Sequence, residues 1–293
     1  MRFTVPLPML PAHHYVPMAQ AAEAAGFDSI AVPDSVFFPE TVSGDYPFSG
    51  DGGRWWAPET PFVDPFVAIP AMAAVTERIT FLTNVLKLPL RSPLLAAKQV
   101  SSIAAMSNDR FRLGVGVSWM PEEFAWTGTD MKTRGARTDE ALEILRAVCA
   151  GGGPHWIEHH GRHYDFDRLM IAPAPQRPLR ILVGGHSDVA MQRAARHDGW
   201  ISANCSEAEL VELVSRLRRH LAAAGKEPGP DFEVNALAVD VFDVDGFKRL
   251  AELGVTHCQV VPWFYYGGDT AALAVQIDSL ARFADTVLPQ FQD

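Results

Sequence analysis

Positive charge is scarce in this sequence, whose 293 residues include 25 lysines and arginines against 35 aspartates and glutamates. The net charge of −10 and the lack of any basic run argue against nucleic acid or an anionic membrane surface as a partner. A bound anion must therefore be held locally, by backbone N–H groups and a small number of cations.

Cysteines and long apolar runs are also scarce. The three cysteines lie far apart and are odd in number, which excludes a disulfide framework and a zinc knuckle and indicates a reducing compartment. No apolar run reaches the length of about 18 residues that a membrane span needs. The first residues, interrupted by Pro6, Pro8 and Pro11, lack the apolar core of a signal peptide. We therefore expect a cytoplasmic protein.

What the sequence does contain is a regular alternation of short β-like runs and amphipathic helical runs. Eight such pairs, with no change in composition between them, predict one α/β domain over residues 1–293 that folds as a single (β/α)8 barrel. A doubly wound sheet is the alternative, but eight units at this length favour closure. The predicted strands are Arg2–Leu7, Ser29–Pro33, Thr80–Val85, Arg112–Val117, Ile181–Val183, Trp200–Ala203, Phe232–Val239 and His257–Val261. The predicted helices are Tyr15–Ala25, Pro65–Val75, Pro93–Met106, Arg134–Ala150, Ser187–His197, Glu207–Ala224, Asp245–Leu253 and Thr270–Ala284.

Two segments interrupt this alternation. Asp34–Asp64 follows the second strand, is rich in aromatic residues, glycines and prolines, and is long enough to be a functional loop on the face where barrel enzymes act. We expect its aromatics to cover an apolar substrate, although they could also only pack the loop onto the barrel. Gly151–Pro178 is an insertion before the fifth strand. Its run His159-His160-Gly161-Arg162-His163 is typical of a turn rather than a metal site, because no carboxylate falls at helical spacing from the histidines.

The turn Gly184-Gly185-His186-Ser187 follows the short apolar strand Ile181–Val183 and precedes a helix. Glycines let the backbone approach a ligand, and a helix start offers unpaired N–H groups to an anion. This turn therefore predicts a phosphate site, unless it is an ordinary strand-to-helix connection.

Three stretches occur in an order and spacing that together are specific. They are Thr83–Pro93 with Ala97-Lys98-Gln99, then Arg112–Trp119 with Glu122-Glu123-Phe124, then Gly161 through Pro173–Pro178 into Val183–Ser187. Together they resemble the luciferase-like monooxygenase superfamily of flavin- and deazaflavin-dependent barrels. Within it, the chain is most similar to the branch of probable coenzyme F420-dependent oxidoreductases.

The resemblance implies a bulge at Thr83-Asn84-Val85, often with a cis non-prolyl peptide, against which the tricyclic cofactor ring stacks. It implies that Gly114 and Gly116 open space beside that ring and that Asp34 lies near the cofactor, although Asp34 could also only cap its loop. The expected cofactor-binding residues are Asp34, Thr83, Asn84, Val85, Gly114, Gly116, Trp119, Glu123, Gly184, Gly185, His186 and Ser187. The expected substrate-binding residues are Ser35, Phe37, Trp55, Trp56 and Trp263. A homodimer acting on a small-molecule substrate is also implied.

The chain departs from the family pattern at one position that matters for chemistry. Several deazaflavin-dependent alcohol and sugar-phosphate dehydrogenases carry a histidine directly after this aspartate, where the chain has Ser35. Serine cannot accept a proton from an alcohol near neutral pH without a partner base. The sequence therefore favours hydride delivery to an electron-poor double bond or imine, or oxygen chemistry on a reduced flavin. His13, His14 and His186 are the candidate proton donors.

Three other functions are weighed against an F420-dependent oxidoreductase. One is an FMN-dependent monooxygenase on the same fold, and another is a non-catalytic flavin-binding relative. The third is a cofactor-free hydrolase or aldolase, which needs a lysine or carboxylate cluster at the strand ends. Lys87 and Lys98 are the lysines near the third strand, and the sequence gives neither a partner.

Overall fold

A computed structural model describes residues 1–226 and 231–291 of the chain. Eight parallel strands form a closed barrel in the order β1, β2, β3, β5, β8, β9, β10 and β11, with β11 pairing back to β1. This confirms the predicted (β/α)8 barrel. The strands are β1 (Arg2–Pro6), β2 (Ser29–Val32), β3 (Thr80–Thr83), β4 (Leu86–Lys87), β5 (Phe111–Gly116), β6 (Trp156–His160), β7 (Asp165–Met170), β8 (Ile181–Gly184), β9 (Gly199–Ile201), β10 (Glu233–Ala236) and β11 (His257–Gln259).

Helices surround the barrel, and the eight predicted helices are present with ends shifted by a few residues at most. Two ends illustrate the local chemistry: Gly26 ends the first helix in the left-handed conformation at φ 89°, and Ser187 caps the sixth. A short further helix after β5 was not predicted. The helices are α1 (Tyr15–Ala25), α2 (Pro65–Ala73), α3 (Pro93–Met106), α4 (Pro121–Thr127), α5 (Arg134–Val148), α6 (Asp188–Ala194), α7 (Glu207–Ala223), α8 (Val244–Leu253) and α9 (Leu273–Thr286).

The predicted third strand is interrupted. Leu82 pairs with Arg112 and Leu86 pairs with Val115, so four steps along one strand lie opposite three steps along its neighbour. The extra residue forms a bulge between β3 and β4. The bulge lies at the carboxyl end of the barrel strands, where (β/α)8 enzymes place their active sites.

The two segments that interrupt the alternation of strands and helices differ in secondary structure. Residues 34–64 contain no helix or strand, as a long connecting loop should. The insertion between α5 and β8 is not a plain loop, because β6 and β7 pair antiparallel into a two-stranded hairpin. The hairpin is separate from the barrel sheet, and most of its residues are exposed or half-buried. His159 and His160 end β6, and Gly161, Arg162 and His163 lie in the turn. No helix among residues 1–226 and 231–291 is long and apolar enough to cross a membrane.

The barrel has two separate apolar cores. The larger one lies between the strands and the helices. The smaller one fills part of the barrel interior and consists of Ala31, Leu82, Leu182 and Ile201, with Val85 of the bulge packed against it. The rest of the interior is polar, since the inward positions of β10 and β11 carry the buried residues Glu233, Asn235, His257 and Gln259.

Two histidines, the buried His257 and the half-buried His197, make the stability of this fold depend on pH. Burial lowers the pKa of His257 to about 3 and that of His197 to about 4. The unfolded chain therefore binds more protons than the folded chain below a pH of about 6.5, and each histidine removes up to about 1.4 kcal/mol of stability per pH unit as the pH falls. The exposed His160, whose pKa is raised by Asp165, opposes this trend.

We expect the free energy of unfolding, measured by urea denaturation, to be lower at pH 5.5 than at pH 7. His197→Asn should remove part of that difference because asparagine does not titrate. Equal unfolding free energies at the two pH values in the wild-type chain would contradict this account.

Candidate functional site

The bulge between β3 and β4 is the centre of the barrel mouth. Its peptide bond Asn84–Val85 is cis, as the family resemblance implies. Thr83 is buried, and its hydroxyl accepts the Gly114 N–H at 2.9 Å while donating to the Gly114 carbonyl at 2.7 Å. Asn84 and Val85 are only partly buried, so these two residues, and not Thr83, offer side-chain surface to a ligand.

Glycines on the neighbouring strands make room for the bulge. A Cβ on Gly116 would lie 2.6 Å from Val85 Cγ2, and a Cβ on Gly184 would lie 2.9 Å from Val85 Cγ1. A Cβ on Gly114 would lie 2.7 Å from Ile201 Cδ1 and closer still to the bulge carbonyl. Gly114 therefore does not open free space beside the cofactor, because the bulge itself fills that space. Gly116 makes room for Val85 and also borders an open cavity.

Asp34, at the end of β2, is tied to the segment that follows the bulge. Its carboxylate accepts the Lys87 backbone N–H at 2.8 Å and two hydrogen bonds from the Arg91 guanidinium, at 2.7 and 2.9 Å. Arg91 also lies 3.8 Å from Asp64, which caps α2. Arg91 thus links Asp34 and Asp64, the two ends of the long loop. Asp34 accepts a backbone N–H and pairs with the Arg91 guanidinium at the same time.

A second buried ion pair joins the Lys87 ammonium to the Glu123 carboxylate. The other Glu123 oxygen accepts a hydrogen bond from the Ser118 hydroxyl at 2.6 Å, and Glu123 is completely buried. The expectation that Lys87 and Lys98 lack partners is wrong, since Lys98 donates to the Ala172 carbonyl. In this structure Glu123 supports the wall of the site and has no surface for a ligand.

Aromatic rings from the long loop cover one side of the mouth. The Tyr46 ring packs edge-on against the rings of Phe48, Trp56 and Trp119, with centroid distances of 5.7, 5.1 and 5.4 Å. Phe48 in turn lies 5.2 Å from the His186 ring on the opposite side of the barrel. We call the four aromatic residues Tyr46, Phe48, Trp56 and Trp119 the roof; they connect the loop to the ends of β5 and β8.

The other predicted substrate-binding residues differ in how far their side chains are exposed and in what they contact. Ser35 is half-buried directly beside Asp34, and Phe37 packs against Trp126 of α4 at 5.3 Å. Trp55 is 60% exposed and touches the roof through Trp56, whereas Trp263 is 2% exposed and packs in the outer core. Trp263 therefore presents almost no surface to a ligand.

The turn after β8 leads directly into α6. Gly185 has φ +124°, a value that side chains other than glycine rarely adopt, and the Ser187 hydroxyl accepts the Ala190 N–H at 3.2 Å. A cavity of about 270 Å³ opens beside the turn. Its lining residues include Gly116, Gly184, Ser187, Lys132, Arg134 and Arg193.

The cations of this cavity are the residues that sequence reasoning missed. Arg193 is neutralised by Asp139 at 2.7 Å, and Arg134 donates to the Met131 carbonyl at 2.9 Å. The Lys132 ammonium has no hydrogen-bond or ion-pair partner among residues 1–226 and 231–291. The charge and helical setting of Arg134 were visible in the sequence, but nothing in it placed these residues opposite the glycine turn.

The three histidines that are candidate proton donors differ in burial and in hydrogen bonding. His186 Nε2 accepts the Ala203 backbone N–H at 3.0 Å, so a neutral His186 ring carries its proton on Nδ1, and burial lowers its pKa. His14 is buried with its Nδ1 2.9 Å from Gln276, whereas His13 is exposed.

The histidine run lies in the β6–β7 hairpin, away from the mouth. His160 pairs with Asp165 at 2.7 Å, and His159 lies near Glu140. Among the described residues no group of three or more histidine, cysteine, aspartate or glutamate side chains is arranged to hold a metal ion.

Comparison with known proteins places these features in a family. Residues 5–242 match the model of the luciferase-like monooxygenase family. An uncharacterized protein of Mycobacterium tuberculosis is 42% identical over 291 residues, which is 98% of this chain and 99% of that protein. An F420-dependent glucose-6-phosphate dehydrogenase of Tsukamurella paurometabola is 31% identical over 227 residues, 74% of this chain and 60% of that protein.

Solved structures with the same fold include enzymes of both cofactor types. An F420-dependent secondary alcohol dehydrogenase in complex with an F420–acetone adduct has a TM-score of 0.75 at 16% identity, with complete coverage of both chains. An FMN-bound type II Baeyer–Villiger monooxygenase component from Pseudomonas putida has a TM-score of 0.70 at 15% identity and covers 100% of this chain and 99% of that one. The match over most of its length, together with the closed barrel and its bulge, shows that the chain belongs to the luciferase-like monooxygenase family.

Proposed function

We propose that this protein is an oxidoreductase that uses the deazaflavin coenzyme F420 to deliver a hydride to an electron-poor double bond or imine of a small organic substrate. The observation that carries the proposal is the Asn84–Val85 bulge, which presents a partly exposed valine at the barrel mouth next to a cavity with unneutralised positive charge. A flat ring with a phosphorylated tail fits that pair of features.

The residues present fit such a cofactor. Val85 would support the ring from the barrel side, and the turn Gly184–Ser187 with Lys132 would hold the phosphate. When bound, coenzyme F420 supplies the hydride chemistry, and the protein supplies orientation and exclusion of water. The roof and Ser35 would border the substrate space above the ring.

The choice of coenzyme F420 over FMN rests on two supports. The family motifs are most similar to the F420-dependent branch, and a relative that covers three quarters of the chain is an F420-dependent dehydrogenase. The reductase direction rests on Ser35, because no base occupies the position that an alcohol dehydrogenase needs. The alternative is an FMN-dependent monooxygenase, because a monooxygenase component with the same fold binds FMN.

Titration of the purified chain with both cofactors tests the cofactor choice. We expect quenching of intrinsic tryptophan fluorescence to show micromolar binding of coenzyme F420, tighter than that of FMN. With reduced F420, the chain should reduce electron-poor alkenes or imines without consuming oxygen. FMN binding of equal or greater affinity, or substrate-dependent oxygen consumption, would favour the monooxygenase instead.

Lys132 provides a test of the phosphate position. Lys132→Ala should weaken FMN or F420 binding roughly tenfold, because it removes one charge-assisted contact to phosphate. Riboflavin and the phosphate-free deazaflavin chromophore should bind the variant and the wild type equally. Lys248→Ala, which removes an exposed lysine of α8, is the matched control and should change neither affinity. Equal weakening of phosphorylated and phosphate-free ligands would place the phosphate elsewhere.

The roof provides a test of the substrate space. Trp55→Ala combined with Trp56→Ala should raise the substrate KM by roughly three- to tenfold, because each aromatic contact contributes about 0.5–1.5 kcal/mol. Cofactor affinity should stay within a few fold. Trp55→Ala alone should have the smaller effect, since its ring is mostly exposed. Loss of cofactor binding in the double variant would assign these tryptophans to the cofactor wall.

A homodimer is also proposed, formed by packing of barrel helices as the family resemblance implies. Val67 of α2 and Leu95 of α3 are exposed apolar residues on two helices that pack against each other. Light scattering at micromolar protein should give twice the chain mass, and Leu95→Glu should shift it toward the monomer. A monomer mass for the wild-type chain would contradict the proposal.

A further inference from the structure

A chain of hydrogen-bonded side chains crosses the barrel interior from its floor to its mouth. At the floor, Arg112 Nη1 donates to Glu233 Oε2 at 2.6 Å. Glu233 Oε1 accepts from Asn235 Nδ2 at 3.0 Å, and Asn235 Oδ1 accepts from Gln259 Nε2 at 2.8 Å. Gln259 Oε1 then accepts from Asn84 Nδ2 at 2.8 Å, at the bulge.

The three middle members of this chain are almost completely enclosed. Glu233, Asn235 and Gln259 are 3%, 0% and 2% exposed, and Arg112 is 8% exposed. A buried amide that lost one of these partners would leave an unpaired polar group, which costs far more in the interior than in water. Each amide is therefore held in one place and one orientation by its two neighbours.

The ion pair at the floor sets the direction of every other bond. An arginine only donates hydrogen bonds and an ionised carboxylate only accepts them. Burial acts to raise the pKa of Glu233, but the charge of Arg112 and the hydrogen bonds it receives outweigh this effect and lower that pKa, so the carboxylate is ionised. Asn235 must then turn its NH2 group toward Glu233 and its oxygen toward Gln259.

The orientation of Asn235 in turn fixes the two amides that lie nearer the mouth. Because Asn235 presents its oxygen, Gln259 must present its NH2 group to Asn235 and its oxygen to Asn84. Asn84 must in turn point its NH2 group into the barrel. Reversal of any one amide would place two oxygens or two NH2 groups opposite each other. The orientation of the Asn84 amide is therefore set by the whole hydrogen-bonded chain and not by Asn84 alone.

The free end of the chain is the Asn84 carbonyl oxygen. Within residues 1–226 and 231–291 no hydrogen bond reaches Asn84 Oδ1, and the residue is partly exposed beside Val85. We propose that the Arg112–Glu233 pair, acting through Asn235 and Gln259, fixes Asn84 so that its Oδ1 accepts a hydrogen bond from an N–H or O–H group of the ligand lying against Val85. Gln259 is then a positioning residue, and Asn84 a specificity-determining one. This inference rests on the proposed function for the identity of the ligand.

Binding measurements on four variants test the inference. Gln259→Met keeps the side-chain volume but removes both of its hydrogen bonds, and Asn84→Ala removes the acceptor itself. Each should weaken binding of FMN and of coenzyme F420 by roughly five- to twentyfold, the effect of one lost or misdirected hydrogen bond. The double variant should bind no more weakly than either single variant, because Gln259 acts through Asn84.

Thr4→Val is the matched control. It removes another buried interior hydrogen bond, the 2.6 Å contact between the Thr4 and Ser29 hydroxyls. Thr4 is the neighbour of Gln259 on the adjacent strand, but its hydroxyl is not part of the hydrogen-bonded chain that ends at Asn84. Its affinity for both cofactors should stay within about twofold of the wild-type value, even if its melting temperature falls. Additive losses in the double variant, unchanged binding in Gln259→Met, or an equal loss in Thr4→Val would each overturn the inference.

A ligand-free measurement separates this inference from the proposed function. In the wild-type chain without cofactor, the Asn84 side-chain amide protons should exchange slowly with solvent in nitrogen-15 NMR spectra, because they donate to Gln259. In Gln259→Met they should exchange rapidly. Fast exchange in the wild type would overturn the fixed orientation even if the cofactors bind, whereas failure of both cofactors to bind would contradict the proposed function and leave the orientation to be judged by the exchange rates alone.

Discussion

The close fit of Val85 against Gly116 and Gly184 is the constraint on which the site depends. A side chain larger than hydrogen at either glycine would overlap the valine methyl groups. The bulge therefore occupies the middle of the barrel mouth and completes the small interior core with Leu82 and Ile201. The surface of the candidate site is continuous with the small interior core through Val85, so a substitution that loosens the packing of one is expected to loosen the other.

The charged residues nearest the bulge are paired with charges of the opposite sign. Asp34 with Arg91 and Glu123 with Lys87 are buried pairs, and they hold the loop and the wall of the site. Such pairs lose stability when one partner is removed, because the remaining charge is left buried and alone. On the cavity side, Lys132 and Arg134 form no ion pair with a carboxylate among residues 1–226 and 231–291, and both are available to the proposed anionic ligand.

The sequence predicted the barrel, its elements and the position of the bulge because these depend on local periodicity and on motifs contiguous in the chain. The bulge came from the family resemblance, whereas the glycine turn was predicted from its own residues and the helix that follows them. The pairing of Lys87 with Glu123 and the cavity position of Lys132 could not be predicted, since both depend on strand neighbours far apart in sequence. The Gly114 expectation failed for a related reason: a missing side chain marks either open space or a close approach, and only the fold decides which. The hairpin β6–β7 was missed because its strands lie outside the barrel and lack a regular apolar pattern.

The central claim is that a flavin-type ring lies on Val85 with its phosphate at the turn after β8. A crystal structure of the chain grown with coenzyme F420 tests it most directly. The account predicts electron density for the ring in contact with Val85 and for the phosphate within hydrogen-bond distance of Gly185 or Ser187 and near Lys132. A ring bound away from the bulge, or a phosphate on the opposite side of the mouth, would contradict it.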